Sequence, residues 1–206
     1  SWMAWNLFLA FLPMLLAAWL FLGSRSRSAL WWIGVVIFVA FLPNAPYVLT
    51  DVIHLLANIR SSRFSEGMVI LVLIPQYVAF FLLGLEAYVL SLIFLGRYLK
   101  KQGLGRSVLA SELCLGLLSA FGIYLGRFHR FNSWDIVTQL DVLMMTVIRE
   151  FAQEQPLVVV AITFLIITGV YLGLKPVNLG LGIYFSGKFK NLELFVQARL
   201  GGPERA

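Results

Sequence analysis

Charged side chains are scarce in this chain, and their scarcity excludes an ordinary soluble domain. Asp, Glu, Lys and Arg make up 13% of the 206 residues, whereas a soluble domain carries about 25%. Hydrophobic residues reach 60% and are arranged in long runs. A chain of this length has room for about five or six membrane-spanning helices and little else. We therefore expect an all-α integral membrane protein.

Cysteine and histidine are rare as well, which limits the possible metal chemistry. The single cysteine excludes an intrachain disulfide and a cysteine-based metal cluster. The two histidines, His54 and His129, would need carboxylates such as Asp51 with Asp135 or Glu66 to complete a metal site. Their spacing matches no metal-binding motif, so we assign no metal ligand and leave the cofactor unknown.

Five apolar runs predict five membrane spans, and the second is shorter than the about 17 residues that a span needs. The bilayer must thin around that run, or the segment after Pro46 must complete the crossing. The first run lacks a small-residue cleavage pattern, so we expect it to be retained as a span. The predicted spans are Trp2–Leu22, Ala29–Leu42, Gly67–Leu95, Val108–Leu125 and Leu157–Leu174.

The distribution of cations predicts the orientation. Eleven of the 16 Lys and Arg residues follow the first, third and fifth spans, and cations collect on the cytoplasmic side. We therefore place the N-terminus outside and the C-terminus in the cytoplasm. The net charge of +6 is then a topology signal, and we expect no nucleic-acid partner. Residues 1–175 form the predicted membrane domain, and 176–206 form a basic cytoplasmic tail on the inner leaflet.

Residues 134–153 have the pattern of an amphipathic helix. Polar side chains fall toward one side, and Asp141 interrupts the apolar run. We expect a helix that lies in the outer membrane interface, not a sixth span.

A Pro-Asn-Ala-Pro sequence at 43–46 ends the second apolar run. Proline disfavours the helical conformation of the preceding residue, so we expect Ala45 to leave the helical region. A new helix then begins, with Tyr47, Asp51, His54 and Asn58 along one face.

Several roles are open for these residues. Asn44 is expected to accept hydrogen bonds from the unpaired amides of the new helix. One alternative for Asp51 and His54 is that both bind a metal ion. Another is a catalytic pair in which Asp51 orients His54 as a general base. The helix start can also hold an anion. The plainest alternative is a capped interfacial helix with its polar face toward water.

A second polar motif, Gly-Arg-Phe-His-Arg-Phe-Asn-Ser-Trp-Asp, occupies 126–135 on the same predicted side. Arg127 and Arg130 suit a phosphate or a carboxylate, and the aromatic rings suit the headgroup layer. Our candidate ligand-binding residues are these two arginines with Asn44, Tyr47, Asn132 and Asp135. The alternative is an interfacial anchor that grips lipid phosphates or pairs with nearby carboxylates.

Two carboxylates lie within predicted spans. Glu86 and Glu112 are costly in hydrocarbon unless neutral or paired. If they face each other, they share a proton or take one from Lys100 or Arg97. This arrangement predicts either a proton or ion path, or a polar clamp between two helices.

The motifs at 41–51 and 126–135, with His54, resemble those of an uncharacterised bacterial membrane protein family, a domain of unknown function that also occurs in cyanobacteria. The resemblance runs from Trp5 to about Lys175. It implies a small multi-pass protein in a bacterial inner membrane, or in a thylakoid or plasma membrane, and it implies no established activity.

We expect the two motifs to meet in one polar pocket on the outer face. The first functional hypothesis is a binding or accessory protein that holds a lipid headgroup or docks to other membrane subunits. The second is an enzyme that acts on a lipid-borne phosphate or ester. The third is a small carrier that uses Glu86 and Glu112.

Overall fold

The fold, obtained as a computed structural model, is a bundle of long helices. The described parts of the chain contain no β-strand. They include five helices long and apolar enough to cross a membrane, in agreement with an all-α multi-pass membrane protein. The described residues are 2–23, 27–61, 64–129, 131, 138, 140–151 and 154–200. The five candidate spans are Trp2–Gly23, Ala29–Arg60, Glu66–Lys101, Gly105–Phe128 and Gln155–Lys188.

The first span is helix α1, Trp2–Ala17, which continues as a π-helical turn over Ala18–Gly23. Helix α2, Ala29–Phe41, starts the second span, and Ser28 caps it by accepting a hydrogen bond from the backbone amide of Trp31. The cap satisfies one of the amides that a helix start leaves unpaired.

The second span does not end at Leu42. After a turn, the chain forms α3, Asn44–Tyr47, a 3-10 turn over Val48–Asp51, and α4, Val52–Arg60. The prediction that Ala45 leaves the helical region is therefore wrong. Pro46 lies in the first turn of α3, where an amide has no intrahelical partner to lose. The segment after Pro46 completes a helical run of 32 residues.

The third span begins with α5, Glu66–Met68, and a π-helical turn over Val69–Leu73. Helix α6, Ile74–Lys101, follows, with Pro75 in its first turn. It is the central helix and contributes buried residues along most of its length. Gly103 ends this span with a φ of +78°, a backbone conformation that suits glycine.

Helix α7, Val108–Phe128, forms the fourth span. Helix α8, Leu140–Phe151, lies within the predicted interfacial segment 134–153, of which the structure does not describe 134–137, 139 and 152–153. Helix α9 runs from Glu154 to Leu200 with Pro176 inside it. The predicted fifth span, Leu157–Leu174, therefore lies within a longer helix that does not end at Pro176.

Two apolar clusters hold the bundle together. The larger joins α1, α2, α3 and α6, and the smaller joins α7 and α9. We call the two ends of the bundle the Trp2 end, which includes His54 and Arg127, and the Lys101 end, which includes Arg27 and Lys175. The predicted orientation places the Trp2 end outside.

Candidate functional site

Three glycines let α3 enter the middle of the bundle. A Cβ atom added to Gly84 of α6 would lie 2.5 Å from Val48, and one added to Gly122 of α7 would lie 2.6 Å from Pro43. At Gly126 the added atom would lie 3.3 Å from the Tyr47 ring. The interrupted helix is therefore held on two sides, and the start of the 126–135 motif lies against Tyr47.

Asp51 is the buried acid of the Trp2 end. It ends the 3-10 turn after α3 and is only 2% exposed. Its Oδ2 accepts a hydrogen bond of 2.8 Å from Nδ2 of Asn6 on α1. Its Oδ1 lies 3.9 Å from Nε2 of His54, which is too long for a hydrogen bond. Within the described part of the chain this buried carboxyl group has one hydrogen-bond donor, a neutral amide, so its burial is incompletely compensated.

His54 lies at the surface beside the buried Asp51. Its side chain is 48% exposed and lies one helical turn beyond Asp51. Its ring contacts Trp2, with 4.8 Å between the ring centroids. The pair thus combines a buried carboxyl group, fixed by Asn6, with an accessible imidazole.

Arg127 is the described cation of the second motif nearest this acid. It is half-buried in the last turn of α7. Its guanidinium lies within electrostatic reach of the Asp51 carboxylate. Tyr47, Asp51, His54 and Arg127, taken from the two motifs, therefore lie around one location.

The polar face continues along α4. Nδ2 of Asn58 donates a 3.2 Å hydrogen bond to the hydroxyl of Tyr77 on α6. Tyr77 is buried and also contacts the Trp2 ring. Aromatic side chains therefore form the wall between the polar face and the core.

Asn44 does not occupy the N-cap position of α3. Asn44 is the first residue of α3, and the preceding Pro43, which has no side-chain acceptor, occupies the cap position. The other predicted ligand residues, Arg130, Asn132 and Asp135, lie outside the described residues.

His129 is not part of a histidine pair at this site. It is exposed, and its ring contacts Tyr124 and Phe131. Within the described ranges, no three His, Cys, Asp or Glu side chains come close enough together to hold a metal ion.

The Lys101 end contains a different polar centre. Nζ of Lys175 on α9 lies 2.7 Å from both carboxylate oxygens of Glu112 on α7. Nζ also lies 5.1 Å from the centre of the Tyr171 ring. The partner of Glu112 is therefore Lys175, not Glu86, Lys100 or Arg97.

Sequence reasoning missed two of these partners. Asn6 is the one amide side chain in the first apolar run, and a polar residue within a span is a usable signal of an interhelical contact. Lys175 follows the fifth apolar run directly, and nothing in the local sequence connects it with Glu112, which is 63 residues away.

Comparison with known proteins identifies a family and no activity. Residues 5–168 match the family described as Protein of unknown function (DUF1361). No curated protein and no solved structure matches the chain.

Proposed function

The chain belongs to the DUF1361 family, and we propose that it is a membrane binding protein that takes an anionic lipid headgroup at its Trp2 end. His54 and Arg127 contact the phosphate, and Asp51 holds these two side chains in position. Trp2 lies beside the imidazole and packs against the lipid below its headgroup.

The observation that supports this proposal most strongly is that the described partners of the buried Asp51 carboxyl group compensate its charge only in part. One oxygen has the Asn6 amide, whereas the other faces an imidazole that is too far for a hydrogen bond. The Arg127 guanidinium lies within electrostatic reach of this buried carboxyl group, and the exposed His54 imidazole lies beside it. A cation and a ring with hydrogen-bonding nitrogens are therefore available at the accessible side for a phosphate.

The position in the membrane favours a lipid as the source of the phosphate. The residues around His54 on α4 include exposed apolar side chains, among them Val52, Ile53 and Leu56. A site bordered by apolar surface at the end of a span suits a ligand with both a charged head and apolar chains. Docking to another membrane subunit is the competing use of the same surface.

Native mass spectrometry of the detergent-purified protein tests the proposal. We expect phosphatidylglycerol to be retained more than phosphatidylcholine, and the H54Q/R127Q double variant to lose one bound phosphatidylglycerol that the wild type retains. The control R60Q removes an exposed cation from the last turn of α4 and should keep it. Equal retention by the double variant and R60Q would reject headgroup binding. Retention of a stoichiometric protein instead of lipid would support the subunit hypothesis.

A second candidate function is hydrolysis of a lipid ester, favoured by the buried Asp51 beside the exposed His54. The imidazole would take a proton from water as the water oxygen bonds to the ester carbon. The bond between that carbon and the alcohol oxygen would then break, and the imidazolium would give the proton to the departing oxygen, which leaves a fatty acid and an alcohol. Release of fatty acid from phosphatidylglycerol vesicles by the wild type but not by H54Q would establish it. No release from either protein would exclude this activity.

A further inference from the structure

An open groove lies at the Lys101 end, on the opposite side of the bundle from the His54 site. Its volume is about 560 Å³, within the range of about 300–1,000 Å³ that small-molecule sites occupy. Helices α2 and α7 form its walls, and the end of α6 forms its floor. Its surface is almost entirely apolar, and its lining includes Trp31, Phe38, Leu99, Cys114 and Leu115.

The groove exists because α2 packs against the first span and stands away from α7. An added Cβ at Gly34 would lie 2.8 Å from Leu20, so the two helices approach closely there. Nε1 of Trp31 also donates a 3.1 Å hydrogen bond to the Leu20 carbonyl. These contacts fix one wall, while Cys114 on the other wall stays exposed.

Arg27 lies at the mouth of the groove and is held in place. Its Nε donates a 2.9 Å hydrogen bond to the Tyr98 hydroxyl, and one terminal nitrogen donates a 2.7 Å bond to Gln102. A guanidinium has five N–H donors, so three are left after these two bonds. The positive charge is thus positioned and still able to bind an anion.

We propose that this groove binds one anionic phospholipid, with an acyl chain between α2 and α7 and the phosphate on Arg27. Water has almost no polar partner on such a lining, whereas a gap that opens into the bilayer is readily filled by hydrocarbon. Positive charge at the mouth selects an anionic headgroup. This site is separate from the His54 site, and neither proposal depends on the other.

Cys114 provides a native reporter for the occupied groove. The protein is placed in nanodiscs of phosphatidylcholine or of phosphatidylcholine with phosphatidylglycerol, and its alkylation by N-ethylmaleimide is timed. We expect phosphatidylglycerol to slow the reaction about fivefold, the equivalent of the ~1 kcal/mol that one basic side chain contributes near an anionic membrane.

Three matched variants distinguish groove binding from a general surface effect. R27Q should lose the protection, and R27K should keep part of it. R106Q, which removes an exposed cation outside the groove lining, should keep all of it. A C114S/L113C protein carries its thiol on an exposed face outside the groove lining. Phosphatidylglycerol should give this thiol no protection from alkylation.

Either of two results with these variants would overturn the proposal. One is protection that is the same for Cys114 and for the cysteine introduced at position 113. The other is protection in R27Q equal to that in R106Q. If protection needs high protein density and disappears when each nanodisc holds one chain, the occupant is a second copy of the protein, which also rejects the lipid.

Discussion

The two ends of the bundle each bury a carboxylate, and they compensate it in different ways. Glu112 has an ammonium group 2.7 Å from both of its oxygens. Asp51 has a neutral amide on one oxygen and an imidazole 3.9 Å from the other. Both acids are almost fully buried, so the difference lies in their partners and not in their depth.

This difference separates a structural ion pair from a candidate site. A buried acid with a matched cation is electrically complete and joins α7 to α9. A buried acid with a neutral donor attracts positive charge, and the Arg127 guanidinium lies within electrostatic reach of Asp51. This contrast supports our proposal that the ligand site is at the Trp2 end.

The largest predicted effect comes from breaking the complete pair. E112Q or K175M alone should destabilise the protein by about 3–5 kcal/mol, because each leaves an unpaired buried charge or donor. The measurement is thermal unfolding in detergent. The E112L/K175M double variant should recover most of the loss, and a double variant as unstable as the singles would contradict a mainly structural role.

Removing the amide at the other end should cost less. N6L deletes the hydrogen bond to the buried Asp51 carboxylate, for which we expect about 1.5–3 kcal/mol. Denaturant unfolding measures the loss. N58L, which removes a hydrogen bond between the neutral Asn58 and Tyr77, is the control and should cost no more than about 1.5 kcal/mol.

The glycine contacts around α3 should tolerate no side chain. G122V places atoms where Pro43 already lies, and such overpacking costs about 1–3 kcal/mol. G169V is the matched control, because an added Cβ at Gly169 meets nothing within 4 Å. Equal thermal stability of the two variants would contradict the close approach of α3 and α7.

The smallest effect on stability is expected at His54. H54Q changes a half-exposed side chain, so the free energy of unfolding, measured by thermal unfolding, should change by no more than about 0.5 kcal/mol. Its effect should appear in binding instead. A loss of stability as large as that of N6L would mean that the imidazole is structural.

Hydropathy was enough to predict five spans, because each apolar run is long and carries few charges. Local backbone preference failed at Ala45, where burial against α1 and α6 outweighs the effect of the following proline. The partner of Glu112 could not be predicted because Lys175 is 63 residues away in the sequence. The side of α9 on which Lys175 lies depends on the helix continuing past Leu174, which the sequence does not show. Composition located Asp51 and His54, but only the fold shows which is buried.

The electrostatic account of the Trp2 end is tested most directly by calorimetric titration of a short-chain phosphatidylglycerol into the protein. An R27Q background removes the contribution of the groove at the Lys101 end. Adding H54Q and R127Q should weaken binding at least about tenfold, equivalent to ~1.4 kcal/mol, while adding R60Q should leave it unchanged. Equal affinity in the two proteins would contradict the assignment of His54 and Arg127 as the phosphate-binding side chains.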